Sequence, residues 1–310
     1  MRREYDYNEL SQRTGFNPRQ IEKVCRISDL LEDLSNVPFL KNRLSLYGGT
    51  ALAFIHLEEI ERLSVDLDFN YRHLDNRDWG KVRDDIDDRV KRILYAQGYT
   101  EKDLKISPSY PLARITVQYT NHEGLNDSYM IEIGYMRRIP ILENDDLATF
   151  RHLGTGDAFQ IKTPEPEELY ANKWCTLLYR GSSRDLFDVY MISKKKFRKD
   201  RFRICAIVDS LMRKPPKLYE ININSLVNSI PLDSALRKLL TDYSKYDFEK
   251  IKEDTKEFSQ DVLSQLTISE RNVIDRFHDA RVFDPDLMDT RGKLNREIRN
   301  HPMIKRALNT

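Results

Sequence analysis

Cysteine is scarce in this chain: three residues in 310, at Cys25, Cys175 and Cys205. An odd number excludes a fully paired disulfide framework, and the wide spacings match no metal-knuckle pattern, so buried reduced thiols are expected. Glycine and proline are sparse as well, 11 and 12 residues, which leaves little room for long flexible linkers. No apolar run approaches the ~18 residues that a bilayer span requires. The start, Met1-Arg2-Arg3-Glu4-Tyr5-Asp6, is basic and then acidic with no apolar core, so no signal peptide is expected and a cytoplasmic location without membrane partners is. The net charge is only +1. No global field then draws nucleic acid, and any such affinity must come from a local patch.

What is present is a water-soluble globular composition, 40% hydrophobic and 33% charged. Residues Asn17 to Ser35 read as a helix, with Ile21, Val24, Ile27, Leu30, Leu31 and Leu34 at helical spacing and Asn17-Pro18 as its start signal. Leu44 to Tyr47 is a strand candidate ended by Gly48-Gly49, and Thr50 to Glu61 looks helical. Leu63 to Asn70 alternates and reads as a strand. A charged amphipathic helix over Arg77 to Gln97 follows, carrying Trp79, Val82, Ile86, Val90, Ile93 and Leu94. Strands at Ala113–Tyr119 and Tyr129–Tyr135 flank a turn-rich loop and form an expected antiparallel hairpin. The run Thr163-Pro164-Glu165-Pro166-Glu167-Glu168 marks a boundary, because prolines resist continued structure and acids suit a helix N-terminus. Beyond it the chain reads as helical. The expected organisation is an α/β lobe over residues 1–160, its centre at about 40–160 with the N-terminal helix packed on it, and a helical lobe over 161–310.

The chemistry concentrates in Ser64-Val65-Asp66-Leu67-Asp68-Phe69. On a strand, Val65, Leu67 and Phe69 face one way and Ser64, Asp66 and Asp68 the other, with the two carboxylates about 7 Å apart. Neighbouring acids repel, and aspartate is a poor strand former. A divalent cation turns that repulsion into coordination, and Mg²⁺ suits one or two carboxylates completed by substrate phosphates. Taken alone, the pair reads more readily as a solvated edge strand. Gly48-Gly49-Thr50 upstream shifts the balance, since glycines let backbone N–H groups approach a phosphate and a helix start adds partial positive charge. Glu132, facing away from Ile131 and Ile133, is a candidate third carboxylate, and three acids could hold two metal ions. In the helical part, Lys173 and Arg180 share a helix face. Gly181-Ser182-Ser183 breaks that helix, and Asp185 and Asp188 share a face of the next. A lysine oriented by an aspartate suits triphosphate chemistry; an ordinary helix–turn–helix with surface ion pairs describes the same residues.

The run Gly48-Gly49-Thr50-Ala51-Leu52, then Arg62-Leu63-Ser64-Val65-Asp66-Leu67-Asp68-Phe69, then Lys173 to Arg180 and Arg184-Asp185-Leu186-Phe187-Asp188, resembles the AbiEii/AbiGii toxin family of the DNA polymerase β-like nucleotidyltransferase superfamily, over about residues 15–195. The resemblance implies an α+β fold: a polymerase β-like nucleotidyltransferase lobe, a mixed sheet with helices, followed by a mainly helical C-terminal lobe, with the active site in the cleft between them. It implies that Asp66 and Asp68 bind Mg²⁺, and that Ser64 and Gly48-Gly49, with Thr50, contact the nucleotide. It assigns Lys173 to the triphosphate, with one or both of Asp185 and Asp188 completing the site. The family comprises type IV toxin–antitoxin and abortive-infection toxins, whose characterised members add nucleotides from an NTP to the acceptor end of tRNA. A cognate antitoxin partner is implied with it. Where the superfamily usually opens with glycine-serine, this chain has Gly48-Gly49-Thr50.

Two basic stretches remain. Lys194-Lys195-Lys196-Phe197-Arg198-Lys199-Asp200-Arg201-Phe202-Arg203 carries seven basic residues and one acid, interrupted by Phe197 and Phe202, and Arg291, Lys293, Arg296, Arg299, Lys305 and Arg306 form the second. Either reads as an RNA backbone contact or as a solvated face. The expected function is an Mg²⁺-dependent nucleotidyltransferase toxin acting on RNA, tRNA first. Two alternatives stand beside it: a small molecule or protein side chain as acceptor, and a non-catalytic binding module of the same fold.

Overall fold

The computed structural model describes residues 3–72, 79–109, 111–213, 215–289 and 291–309. They divide into two compact units. The first comprises residues 1–138, 146–163 and 238–242, and the second residues 139–145, 164–237 and 243–310.

The first unit is built on a five-stranded sheet of β1 (Leu44–Tyr47), β2 (Asp66–Tyr71), β3 (Leu104–Ser109), β4 (Leu112–Thr120) and β5 (Asn126–Gly134), in the order β1-β2-β5-β4-β3. β2 and β5 run parallel and every other pair antiparallel, so the sheet is mixed. Strict alternation sets its two faces. Leu67, Phe69, Ala113, Ile115, Val117, Ile131 and Ile133 are buried on one, while Asp66, Asp68, Arg114, Thr116, Met130 and Glu132 take the other. Each large apolar side chain buried is worth about 1.5–3 kcal/mol, so a one-residue slip of β2 that exchanged its faces would be heavily penalised. That penalty fixes which way the two aspartates point.

Helices α1 (Tyr7–Thr14), α2 (Pro18–Ser35), α3 (Pro38–Lys41), α4 (Gly48–Ala51) and α5 (Trp79–Ala96) complete this unit. α2 starts where the sequence places it, with Asn17 as N-cap accepting from the Arg19 N–H and Pro18 in the first turn. It packs against β5 and α5. Arg77 and Asp78 of the expected helix, and the side chain of Trp79, lie outside the described residues. The hairpin forms as read, with Ile115 opposite Ile131.

Three expectations are corrected. The helix expected over 50–61 is a single α turn, α4, that loosens into a π turn over Leu52–His56 and stops there. The strand expected from Leu63 begins at Asp66, because Leu63 donates its N–H to the Leu239 carbonyl (2.8 Å) and Arg62 bridges to Leu240. Residues before the boundary form an antiparallel two-stranded sheet, β6 (Asp146–Arg151) with β7 (Ala158–Thr163), that the sequence reading did not contain. In it Phe150, Ile161 and Thr163 are buried; one inward side chain on β6 and two at the end of β7 are too few to register as a period.

The second unit is helical: α6 (Pro166–Arg180), α7 (Ser183–Ser193), α8 (Lys199–Leu211), α9 (Ile223–Ser229), α10 (Ser234–Arg237), α11 (Phe248–Ser264), α12 (Ile268–Ala280) and α13 (Pro302–Leu308). α6 carries Pro166 in its first turn followed by Glu167 and Glu168, and ends at Gly181, whose φ of 68° few other residues adopt cheaply. Trp174, fully buried, donates its indole N–H to Ser259 Oγ on α11 (3.0 Å). All three cysteines are buried and none is in a disulfide. Among the described residues no helix is long and apolar enough to cross a membrane.

Candidate active site

In the first unit, the turn after β1 is built around the absence of side chains. Gly48 has φ +70°, and a Cβ placed on it would lie 2.0 Å from Asp68 Oδ2 and 2.8 Å from Asp68 Cγ. Only glycine can both adopt that conformation and leave the carboxylate where it is. A Cβ on Gly49 would lie 2.7 Å from Ser64 Oγ and 3.1 Å from Arg62 Nη2. The Gly-Gly pair therefore lets the backbone turn press against Asp68 on one side and against Ser64 and Arg62 on the other.

Thr50 ties the turn to the aspartate strand. Its hydroxyl donates to the Asp66 carbonyl at 2.5 Å and lies 3.0 Å from Ser64 Oγ. A carbonyl can only accept, and a hydroxyl carries one proton. Thr50 therefore spends its proton on Asp66, and Ser64 donates to Thr50. Thr50 is fully buried and Ser64 nearly so. Gly48, Gly49, Thr50, Ser64, Asp66 and Asp68 are thus brought together, with Asp66 and Asp68 half-buried on one face of β2.

Glu132 on β5 stands in register with Asp68, on the same face. Its carboxylate is held by Arg114 of β4, at 2.7 Å from Nε and 2.6 Å from Nη2. Among the described residues no group of three acids, histidines or cysteines is arranged to hold a metal ion. The donor set fits magnesium in its sparer mode: two carboxylates on one face, with glycine backbone in place of any side chain that would crowd Asp68, and the remaining positions left to phosphate and water.

In the second unit the spacing arguments become specific pairs. Lys173 Nζ lies 3.0 Å from Asp188 Oδ2, and both side chains are buried. Asp185 instead accepts from Arg180 Nε (2.8 Å), Arg180 Nη2 (2.5 Å) and Ser182 Oγ (2.5 Å). Burial raises the Asp185 carboxyl, but the hydrogen bonds from Arg180 and Ser182 outweigh it and hold the group below the usual carboxylate range. Asp185 thereby closes the turn between α6 and α7, and Asp188 is the aspartate that holds Lys173.

The basic stretch at 194–203 is largely consumed within this unit. Lys194 pairs with Asp254, Arg198 with Glu165 and Glu167, Lys199 with Asp261, Arg201 with Glu165 and Arg203 with Glu270. Phe202 is fully buried against Trp174, Phe197 and Phe258, so it is a core residue and not a stacking platform. Lys293 of the second stretch pairs with Asp200 of the first.

Arg62 was not singled out as a site residue from the sequence. The signal was available: Arg62, Ser64, Asp66 and Asp68 fall at every second position, and alternation carried two residues upstream places Arg62 with the others. The strand ladder itself does not extend that far.

The family described as Nucleotidyl transferase AbiEii toxin, Type IV TA system, matches residues 29–280. A comparison with curated proteins gives no match. Among solved structures, MenT4, a nucleotidyltransferase toxin from Mycobacterium tuberculosis H37Rv, is 15% identical, with 99% of each chain covered at a TM-score of 0.65. The α+β fold expected from the motifs is therefore the fold of a solved nucleotidyltransferase toxin. An antigenic nucleotidyltransferase-like protein from Paracoccidioides brasiliensis is 14% identical, covering 71% of this chain and 97% of its own at a TM-score of 0.37.

Proposed function

This chain belongs to the AbiEii nucleotidyl transferase toxin family of type IV toxin–antitoxin systems, and on that premise we propose that it transfers nucleotides from an NTP to the 3′ end of an RNA, tRNA being the first acceptor to test, with magnesium as cofactor. The observation that carries the reading is the fit of Gly48 to Asp68, a backbone turn that tolerates no side chain against a half-buried carboxylate. Asp66 and Asp68 hold the magnesium, with Glu132 the adjacent carboxylate under the control of Arg114. When bound, magnesium lowers the pKa of an attacking hydroxyl and neutralises charge on the triphosphate. The Gly48-Gly49 backbone approaches the phosphates, and the Thr50–Ser64 pair keeps that backbone in place. Lys173, aimed by Asp188, meets the negative charge of the departing pyrophosphate. A type IV family implies an antitoxin partner, and blocked translation would follow from capped tRNA ends.

The test is incubation of the folded protein with magnesium, each labelled NTP in turn, and total tRNA. Label on the 3′ ends of RNA is expected; no transfer from any of the four NTPs sinks the reading. One observation favours a second acceptor class, a small molecule or a protein side chain: the 194–203 cations are already paired with acids of their own unit. Label on protein or on a low-molecular-weight fraction, with RNA unlabelled, decides for it.

The pairing in the second unit gives a further expected outcome. Asp188→Asn frees Lys173 from its aim, and transfer falls about 10²-fold or more. Asp185→Asn removes the charge and one of the two oxygens that accept from Arg180 and Ser182, and lowers stability by about 1–3 kcal/mol, with transfer retained while the protein is folded. Single-turnover rates and melting curves on both variants check this. A folded Asp185→Asn protein as inactive as Asp188→Asn would refute the assignment of Asp188.

A further inference from the structure

We infer that the cavity where the two basic stretches meet in the second unit binds a backbone phosphate of the RNA acceptor, and that Arg291 is the cation that meets it; the inference rests on the RNA-acceptor reading above.

The cavity measures about 380 Å³ and is lined by Arg198, Arg201, Arg291 and Lys293, with Glu143 and Asp200. Four cations are set against two acids there, in a chain whose net charge is only +1. Two of the cations come from the 194–203 stretch and two from the C-terminal one, and the whole lining belongs to the second unit. Internal pairing does not exhaust it. Arg198 gives Nε to Glu167 and Nη2 to Glu165, but those acids are 6% and 16% exposed and the arginine 60%, so its guanidinium is the outer partner. Arg201 gives Nη2 to Glu165, and its Nε is buried without a hydrogen-bond partner. Lys293 is held by Asp200. Arg291 makes no ion pair or hydrogen bond with any described residue. A guanidinium carries five N–H donors and no acceptor, so the lining holds more donors than its own acids take.

The fold places Arg291 with care. Asp289 accepts from the backbone N–H groups of Lys293 (2.7 Å) and Leu294 (2.8 Å), which closes the turn that carries Arg291. Gly292 has φ +63° in that turn, and a Cβ on it would meet nothing within 4 Å, so the turn borders open space. Just beyond, Leu294 bridges to Leu142, and Asn295 donates its backbone N–H to the Ile141 carbonyl (2.9 Å) and its side-chain amide to the Glu143 carbonyl (3.0 Å). The excursion of residues 139–145 thus holds the turn and carries Glu143 to the cavity. A phosphodiester brings one negative charge and oxygens that only accept, which the planar fork of arginine matches. Such a contact positions an RNA strand without reading its sequence.

The experiment is equilibrium binding of total tRNA to wild type, Arg291→Gln, Glu143→Gln and Arg296→Gln across a salt series, each checked by circular dichroism and melting. Arg296 is the control, an exposed cation of the same stretch that does not line the cavity. Arg291→Gln is expected to bind RNA about 3- to 10-fold more weakly at moderate salt, and to lower the slope of log affinity against log salt by about 0.7–0.9, the share of one phosphate contact. Its melting temperature stays at the wild-type value, because Arg291 makes no bond within the fold. Glu143→Gln, which removes an acid from the lining, binds about 2-fold more tightly, and Arg296→Gln stays within about 2-fold of wild type. A folded Arg291→Gln protein with wild-type affinity and slope overturns the inference. So does an equal loss in Arg296→Gln, which marks diffuse attraction, and so does weaker binding by Glu143→Gln. Inorganic phosphate at constant ionic strength tests the other source of the same chemistry. If it raises the melting temperature of wild type but not of Arg291→Gln, while both bind RNA equally, the cavity takes a free anion and the inference falls. Each of these results leaves the enzyme reading standing as long as wild type labels RNA 3′ ends in the transfer assay; a wild type that labels no RNA removes the reading underneath.

Discussion

Gly48→Ala is expected to lose nucleotide transfer and to melt well below wild type, whereas Gly124→Ala keeps its activity and melts only slightly lower. Both glycines have positive φ, +70° and +78°, so both substitutions pay about 1–2 kcal/mol to hold a left-handed backbone. They differ in what the new methyl group meets. At position 124 nothing lies within 4 Å, while at position 48 the methyl would sit 2.0 Å from a carboxylate oxygen of Asp68. Either the turn retreats or Asp68 rotates away, and either movement separates the backbone proposed to face the phosphates from the acid proposed to hold magnesium. Melting temperatures and transfer rates for the two variants side by side measure the difference. If they match in both, the fit of Gly48 to Asp68 has no functional weight.

Asp68→Ala dissociates activity from stability. Removing one of the two carboxylates proposed to bind magnesium is expected to cost several kcal/mol of transition-state stabilisation, about 10³-fold or more in rate. Two like charges at alternate positions of one strand face repel each other, and deleting one relieves that repulsion. Wild type should gain thermal stability on adding magnesium and NTP, by mass action on the folded state, and the variant should not. A variant that keeps more than about a tenth of wild-type transfer under saturating magnesium would remove Asp68 from the catalytic assignment.

The parts of the fold with a clean period were legible. α2 follows its expected range, the β4–β5 hairpin forms with β5 starting at Asn126, three residues earlier than read, and the alternation in β2 sends Asp66 and Asp68 to one face as read. The two-stranded β6–β7 sheet was not, for want of inward-facing side chains. The early end of the helix after Gly48 was not either; apolar residues continue to Leu57, yet the π turn shifts their faces and the chain leaves at His56. Within the site, spacing could pair two cations with two aspartates but not say which with which, since Asp185 and Asp188 share a helix face. The choice comes from the left-handed turn at Gly181, which brings Arg180 at the end of α6 back onto Asp185 and leaves Asp188 for Lys173. The donor direction between Thr50 and Ser64 lies deeper still, for it depends on a carbonyl of the next strand.

The short return of residues 238–242 bears on how proteins of this architecture can be recombined. Those five residues belong to the first unit although some seventy residues of the second precede them, and 139–145 make the opposite excursion. Neither unit is therefore one uninterrupted stretch of gene. A single crossover between two relatives, for example after residue 163, would deliver a first unit whose Leu63 and Arg62 meet a foreign segment in place of Leu239 and Leu240. Shuffling can exchange one of these units whole only when the exchanged pieces are themselves interleaved.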